Sequence, residues 1–446
     1  MLPENWNTLS PDERLEARFS GWMSTDNKEF ATTEAARTYQ RRTKRYYDII
    51  KLDQPDRVPC VFNAGGFIAH YAGVTHADFF YDYDKSSRAI IRFHEDFDLD
   101  YQARGNFYPG KVFDLLDYKL YSWPGRGLRE DRPFQCMEKE YMMGDEYDAF
   151  IADPEAFMAR TFIPRACGAL SAFRMLPITL GATEMPFIPF MVANLGMPEF
   201  QDAMKTIMEA GQASLEWMGV NAKISAKIQG EMGLPGTMGG FSKAPFDFIG
   251  DTLRSTRGIM LDMYRQPEKL LEACERIIPM AVDIAVTAAN ASGIPIVTLP
   301  LHKGADGFMS GADFEKFYWP SLKAVLLSII EEGIVPFLFV EGAYNQRLDI
   351  IAESGLPVGK TVWYFDRTDM AAAKEKIGQW ACIGGNVPAS LFKAGTPQQM
   401  EDAVKELIDT AGPGGGYFIA PGAIIDDAVE ANAHAYLKTA KEYGVY

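Results

Sequence analysis

The sequence is poor in the residues that carry metal and nucleophile chemistry. Of 446 residues, 5 are cysteine and 5 are histidine. The cysteines (Cys60, Cys136, Cys167, Cys274, Cys382) stand far apart with no CxxC pair. That spacing gives no disulfide framework and leads us to expect a reducing compartment. Positive charge is scarce too: 44 Lys plus Arg against 60 Asp plus Glu leave a formal charge of −16. Nucleic acid and anionic membranes both require phosphate-neutralising cations, so neither is an expected partner. No window approaches about 18 uninterrupted apolar residues, and the N-terminus has no basic stretch followed by an apolar one. A cytoplasmic protein is the expectation. No GxSxG elbow, GxGxxG loop or Walker lysine appears, which argues against serine hydrolases and nucleotide enzymes.

What is present is core. Hydrophobic residues make up 47% of the chain and charged residues 23%, a globular balance. The 29 Phe, 20 Tyr and 21 Met fit either a large aromatic interior or a flat apolar pocket. From Ile294 onward, five short β-rich runs (294–301, 334–340, 360–365, 380–383, 417–420) are separated mostly by segments of helical spacing. Gly311 to Glu332 has apolar residues three and four apart before a glycine stop, and Thr396 with Pro397 caps a helix over 396–411. Alternation at this pitch predicts parallel strands with crossover helices, in an open doubly wound sheet or a closed barrel.

The N-terminal half predicts a helix over 32–51, a strand over 57–65, helix over 76–98, a strand near 100–107 and helix over 153–175. Residues 119–147 read as a polar, irregular excursion. The segments 176–190 and 227–254, dense in Gly, Pro and Met, read as loops.

Two residues hold the strongest chemical promise. His302 ends the strand IPIVTLPLH, and Glu341 follows the apolar run PFLFV one strand later, where a simple core strand would not put an ionised group. They offer a nitrogen and an oxygen for part of a zinc site, with Asp306, Asp366 or Glu231 as candidate third ligands, or an acid/base pair without metal. Glu184 and Glu231 sit among apolar neighbours, where a raised pKa would suit a general acid.

The order of motifs resembles a family. The stretch Gly384 to Gly444, with GN on a strand, a GTP-led helix, a GG-F-I-x-x-G strand and an ENxxA-like final helix, is similar to the end of uroporphyrinogen decarboxylase-like proteins. MYRQPEKLLEAC (Met263 to Cys274), FMSGADFEKFYWPSLKAV (Phe308 to Val325) and the first-strand RVP add to it. The resemblance implies an α/β fold: one (β/α)8 TIM barrel over residues 1–446, with 1–52 as a helical N-terminal extension and the remaining extra length in insertions. Decarboxylases of the family carry an arginine-bearing M-R-Q-A-G-R loop that receives substrate carboxylates, whereas this chain has FNAGGF (Phe62 to Phe67). Thiol-methylating members hold zinc with H-x-C-G and P-G-C, whereas this chain has Phe339-Val340-Glu341-Gly342 and Pro421-Gly422-Ala423.

These departures imply the corrinoid-linked methyltransferase branch, of the kind found in anaerobic bacteria. The implied reaction removes a methyl group from a small methoxylated aromatic compound and passes it to the cobalt(I) of a partner corrinoid (cobalamin) protein. His302 and Glu341 would supply a metal site, zinc included, or a general acid, with Glu231 as a further catalytic candidate. Phe62, Phe241 and Tyr364 would flank the ring, and Asn63 and Asn386 would orient its substituents. A lyase acting on a tetrapyrrole or aromatic acid, and a non-catalytic corrinoid-binding barrel, are the alternatives.

Overall fold

The computed structural model describes residues 2–177 and 182–446. First in the chain come three short strands, β1 (Tyr121–Pro124), β2 (Gly127–Leu128) and β3 (Gln135–Cys136), which form a small sheet in the order β2-β1-β3. The polar excursion is thus partly ordered, and it is tied down at its far end, where the Tyr141 and Met142 N–H groups both donate to the Leu253 carbonyl.

The main sheet is parallel and sequential: β4 (Gly240–Phe241), β5 (Ile296–Leu301), β6 (Val335–Val340), β7 (Val362–Phe365), β8 (Cys382–Gly384) and β9 (Tyr417–Phe418). The last five are the strands expected from the sequence. Ile419 pairs in parallel with Cys60, and the Val61 N–H donates to the Ile419 carbonyl at 2.9 Å, so residues 58–61 continue the sheet past β9. At the other edge the Gln102 N–H donates to the Pro235 carbonyl at 2.9 Å, joining residues 99–103 to the chain ahead of β4. Between these two segments a side chain supplies the link: Asp100 Oδ2 accepts the Cys60 N–H at 2.9 Å. Eight segments, 58–61, 99–103 and β4 to β9, succeed one another around a TIM-type barrel.

Strand periodicity divides the core in two. Side chains alternate across a sheet, and here Val61, Ile296, Val335, Phe339, Val362, Tyr364, Cys382 and Phe418 share one buried cluster. Their neighbours Cys60, Val297, Leu338, Val340, Trp363, Ile383 and Tyr417 belong to the other, against the surrounding helices. The inner cluster also contains Leu15, Phe19, Trp22, Tyr46, Ile49 and Ile50. These come from the helices Pro11–Met23 and Thr33–Ile50. Both helices lie across the end where strands begin: Trp22 Nε1–H donates to the Gly236 carbonyl at 3.0 Å, and Arg18 reaches the Glu332 carbonyl at 2.9 Å and Asn290 Oδ1 at 2.9 Å. The N-terminal helices therefore plug the barrel floor.

Three expectations change. The stretch 153–175 is helical but broken into short α, π and 3-10 pieces with Pro164 inside. The 227–254 stretch is not all loop: it starts in a 35-residue helix, Pro198–Met232, and ends in helical turns, Pro245–Asp247 and Phe248–Leu253. The long helix stops at Gly233 (φ 62°), where a Cβ would stand 2.3 Å from the Ala35 carbonyl oxygen, so only glycine fits. Finally, 100–107 is not a strand but an irregular stretch with bends at Asp100, Tyr101 and Asn106 and a left-handed Gly105 (φ 61°), and the Asp100 side chain takes the place of backbone pairing on one side. Part of 176–190, residues 178–181, lies outside the described residues.

Candidate active site

The inward parity of each strand, followed past its end, delivers the polar residues. β5 runs through Ile296 to His302, β6 through Phe339 to Glu341, β7 through Tyr364 to Asp366, and β8 through Cys382 to Asn386. All four stand at the carboxyl ends of neighbouring strands, where barrels place their chemistry.

His302 is held from behind. Its Nδ1 lies 2.5 Å from Asp251 Oδ2, a carboxylate that only accepts, so Nδ1–H donates and Nε2 faces the opening. There Nε2 stands 3.7 Å from Glu341 Oε1. Asp251 comes from the π-helical turn Phe248–Leu253 and also meets Lys243 Nζ at 2.7 Å and Lys303 Nζ at 2.9 Å. One turn earlier Asp247, fully buried, accepts from the His302 N–H at 3.0 Å, the Lys303 N–H at 2.9 Å and the Tyr318 hydroxyl at 2.6 Å. That carboxylate fixes the strand end, and hence the direction of the imidazole.

Electrostatics follow from this packing. Burial works against protonating His302, but the Asp251 hydrogen bond and the charges of Asp247, Asp251 and Glu341 override it and raise its pKa above the ordinary imidazole value. Burial would lift the Asp251 carboxyl as well. His302, Lys243 and Lys303 instead hold it well below the usual carboxylate range. Glu341 is pushed up, first by burial and then by Asp247, Asp251 and Asp366, against the pull of His302. The result is a proton carrier whose inner nitrogen is locked to an ionised carboxylate and whose outer nitrogen faces the mouth.

A zinc ion fits this set poorly. A catalytic zinc site normally has three protein ligands, and among the described residues no three His, Cys, Asp or Glu side chains are grouped to hold a metal. Asp251 already engages Nδ1, Asp366 Oδ2 accepts the Gly342 N–H at 2.9 Å, and Asp306 Oδ2 accepts the Gln346 N–H at 3.1 Å. His302 and Glu341 are left as a pair.

The remaining expected residues scatter. Tyr364 is inside the barrel, its hydroxyl bonded to the Pro421 carbonyl and to Asn63. Asn386 Nδ2–H donates to the Thr368 carbonyl at 2.6 Å, and Phe241, at the end of β4, is 54% exposed. Phe62 is not brought to the mouth. It points outward, fully buried, and stacks on Phe392 at 5.4 Å, because its parity is that of Cys60. Glu231 is not brought there either: it is exposed near the end of the long helix, 3.6 Å from Lys227 one turn back. Glu184 is exposed in a turn outside this cluster.

Sequence reasoning missed Asp247, Asp251, Lys243, Lys303 and Tyr318. The signal was there in APFDFIGD, whose two aspartates lie four apart on one helical face directly after a strand.

The loop after the first barrel segment completes the mouth. The Gly66 N–H donates to Asp426 Oδ1 at 2.7 Å, and the same oxygen accepts from Asn106 Nδ2 at 3.3 Å. A Cβ at Gly65 would stand 2.7 Å from that oxygen. FNAGGF thus receives a carboxylate of its own chain.

A family model described as Uroporphyrinogen decarboxylase (URO-D) matches residues 195–443, more than half of the chain. The chain belongs to the uroporphyrinogen decarboxylase family. Its similarity to curated members is low. The uroporphyrinogen decarboxylase of Trichodesmium erythraeum (strain IMS101) is 24% identical over 222 residues, 49% of this chain and 59% of that one. That of Sodalis glossinidius (strain morsitans) is 24% identical over 231 residues, 51% of this chain and 60% of that one. The chain thus spans about three-fifths of the length of these relatives. Among solved structures, a methyltransferase from Methanosarcina mazei superposes with a TM-score of 0.56 at 16% identity, over 90% of this chain and 98% of the other. The uroporphyrinogen decarboxylase-like barrel is therefore the fold, and the residues at its mouth carry the functional argument.

Proposed function

We propose that this family member is an enzyme, a methyltransferase that removes the methyl group of a small methoxylated aromatic compound and delivers it to the cobalt(I) of a partner corrinoid protein. The observation that carries the reading is the anchored imidazole: His302 bonded through Nδ1 to Asp251 at 2.5 Å, with Nε2 facing the mouth.

Breaking an aryl–O–methyl bond leaves a phenolate, a poor leaving group until it is protonated. The corrinoid of the partner supplies the nucleophile that accepts the methyl group. The work of this chain is to donate a proton from His302 Nε2 to the departing oxygen and to keep the imidazole aligned through Asp251. Glu341 favours the charged imidazole before the transfer. Tyr364 and Asn63, within the barrel, and Asn386, at its lip, are the residues we propose to border a bound ring, with the exposed Phe241 as an apolar edge open toward a macrocycle.

Decarboxylation of a polycarboxylate has less support. The loop that would receive substrate carboxylates has no arginine, and its Gly66 N–H is already taken by Asp426. A further anion would meet like charge there.

The test is to mix purified protein, a reduced corrinoid protein and a panel of methoxyarenes while following the cobalt(I) absorbance. Loss of that absorbance, with release of the matching phenol, is expected with at least one donor. Cobalt(I) persisting with every donor overturns the reading.

A further inference from the structure

The polar excursion 119–147 is fastened to the part of the chain that carries Asp251. Arg254 Nη1 reaches Glu140 Oε2 at 2.8 Å and the Met142 carbonyl at 2.6 Å. Glu138 accepts the Thr256 hydroxyl, Thr256 Oγ1 accepts from Lys303 Nζ at 3.1 Å, and Lys303 Nζ meets Asp251 Oδ1 at 2.9 Å. An unbroken chain of contacts thus leads from Glu138 to His302.

Strand parity decides what stands beside that chain. Cys136 pairs with Tyr121 across β1 and β3, and directly opposed residues of an antiparallel pair share a face. Phe134, two residues before Cys136, and Glu138, two after, keep the same parity. The rings agree: Tyr121 and Phe134 meet edge to face at 5.7 Å, and Phe134 meets Tyr108 in the same way at 5.3 Å. Tyr108 arrives from the second barrel segment, two residues past Asn106, whose Nδ2–H donates to Asp426 at the mouth. Burial raises both the Cys136 thiol and the Tyr121 hydroxyl, the latter to about 12, and the nearby charge of Asp251 adds to each.

Three aromatic side chains therefore line one side of the mouth, and two of them keep an unused polar group. Among the described residues neither the Tyr108 nor the Tyr121 hydroxyl has a hydrogen-bond partner. Tyr121 is 38% exposed, and Tyr108 and Phe134 are half-buried. Aromatic rings favour edge-to-face or offset contact with a further ring, and a free phenol hydroxyl can donate to an ether or phenol oxygen upon it.

We infer that Tyr108, Tyr121 and Phe134 form the outer wall of the donor site, where they hold the ring of a methoxylated aromatic compound and select its oxygen substituents through the two hydroxyls. This rests on the proposed methyl transfer and gives the excursion a role in choosing the donor.

Cys136 supplies a readout, since it is exposed on this face while the other four cysteines are buried. Iodoacetamide treatment of the native full chain, followed by mass spectrometry, is expected to alkylate Cys136. Members of the methoxyarene panel, 2-methoxyphenol among them, are expected to slow it severalfold, while cyclohexanol, a hydroxyl without an aromatic ring, leaves the rate unchanged. Tyr121→Ala is expected to weaken the protection and to raise KM for a productive donor about tenfold, with the smaller change in kcat that marks lost ground-state binding. Tyr121→Phe, which keeps the ring, is expected to retain affinity for methoxybenzene and to lose it for 2-methoxyphenol. Cobalt(I) discharged by a donor that neither protects Cys136 nor binds more weakly to Tyr121→Ala overturns this inference and leaves the reaction standing. Protection that depends on Tyr121 while cobalt(I) persists overturns the reaction and leaves the ring site standing. Protection by no member of the panel, or equal protection by cyclohexanol, overturns the inference.

Discussion

Asp100 reaches the Cys60 N–H with Oδ2 at 2.9 Å, so a carboxylate bridges the first two barrel segments where a backbone carbonyl would normally pair. The same side chain binds Arg45 at 2.7 Å and Arg57 at 2.6 Å and is completely buried. Burial alone would raise its pKa, but the two guanidinium groups hold it at about 2.

Asp100→Asn leaves Arg45, Arg57 and, at 3.7 Å, Arg42 facing an uncharged amide and is expected to cost about 3–5 kcal/mol in urea unfolding at pH 7. An unfolded aspartate titrates near 3.9. The depressed folded value therefore means that the ionic stabilisation is whole above about pH 4 and disappears as pH falls toward 2. The gap between wild type and variant should narrow over that window. A gap that stays constant would place the effect in packing instead.

The proposed acid catalysis by His302 has a defined pH signature. Its pKa is raised, so the protonated form persists to higher pH than in a free imidazole, and activity should fall as pH rises through that value. Asp251→Asn replaces the charged acceptor that does most to raise it with a neutral amide, and the alkaline limb of the kcat/KM profile should move to lower pH. His302→Gln should lower kcat by about 10²–10⁴-fold. An unmoved alkaline limb in Asp251→Asn would dissociate the pair from the chemistry.

The same group affects stability in the opposite sense to Asp100. A raised histidine pKa contributes stability that is present below the unfolded value of about 6.5 and is lost as pH rises through the folded one. Wild-type Tm should drop more than that of His302→Gln over this interval. Equal slopes in a thermal-shift series would count against it.

Because, among the described residues, His302 and Glu341 stand as a pair without a third ligand, extensive dialysis against a chelator should leave the proposed methyl transfer unchanged and metal analysis should find less than one zinc per chain. Stoichiometric zinc lost in His302→Ala would reverse this conclusion.

What the sequence made legible was governed by local signals. The strands β5 to β9 announced themselves as short apolar runs, and Thr396 with Pro397 marked a helix that does open there with a capping box to Gln399. His302 and Glu341 were found because a polar residue ending an apolar run is unusual. Asp247 and Asp251 were missed because, although their spacing of four is local, the strand end they pack beneath is not: their contacts lie 51 and 55 residues away. Phe62 was misplaced by a single step of strand parity, since Val61 and Asn63 on either side point inward. The long helix was obscured for another reason: its exposed side mixes charged positions such as Lys205, Glu209, Glu216 and Lys223 with the apolar Met204, Met208, Leu215 and Met218, which blurs the boundary between buried and solvent faces.

The helices Pro11–Met23 and Thr33–Ile50 that fill the floor with Phe19, Trp22 and Tyr46 also set the traffic of the barrel. A vessel stoppered at one end has a single doorway. In the proposed reaction the substrate would enter and leave past His302 and Glu341, so a small donor would have to be seated before a bulky acceptor covered the opening. Turnover would then wait on the larger guest's departure.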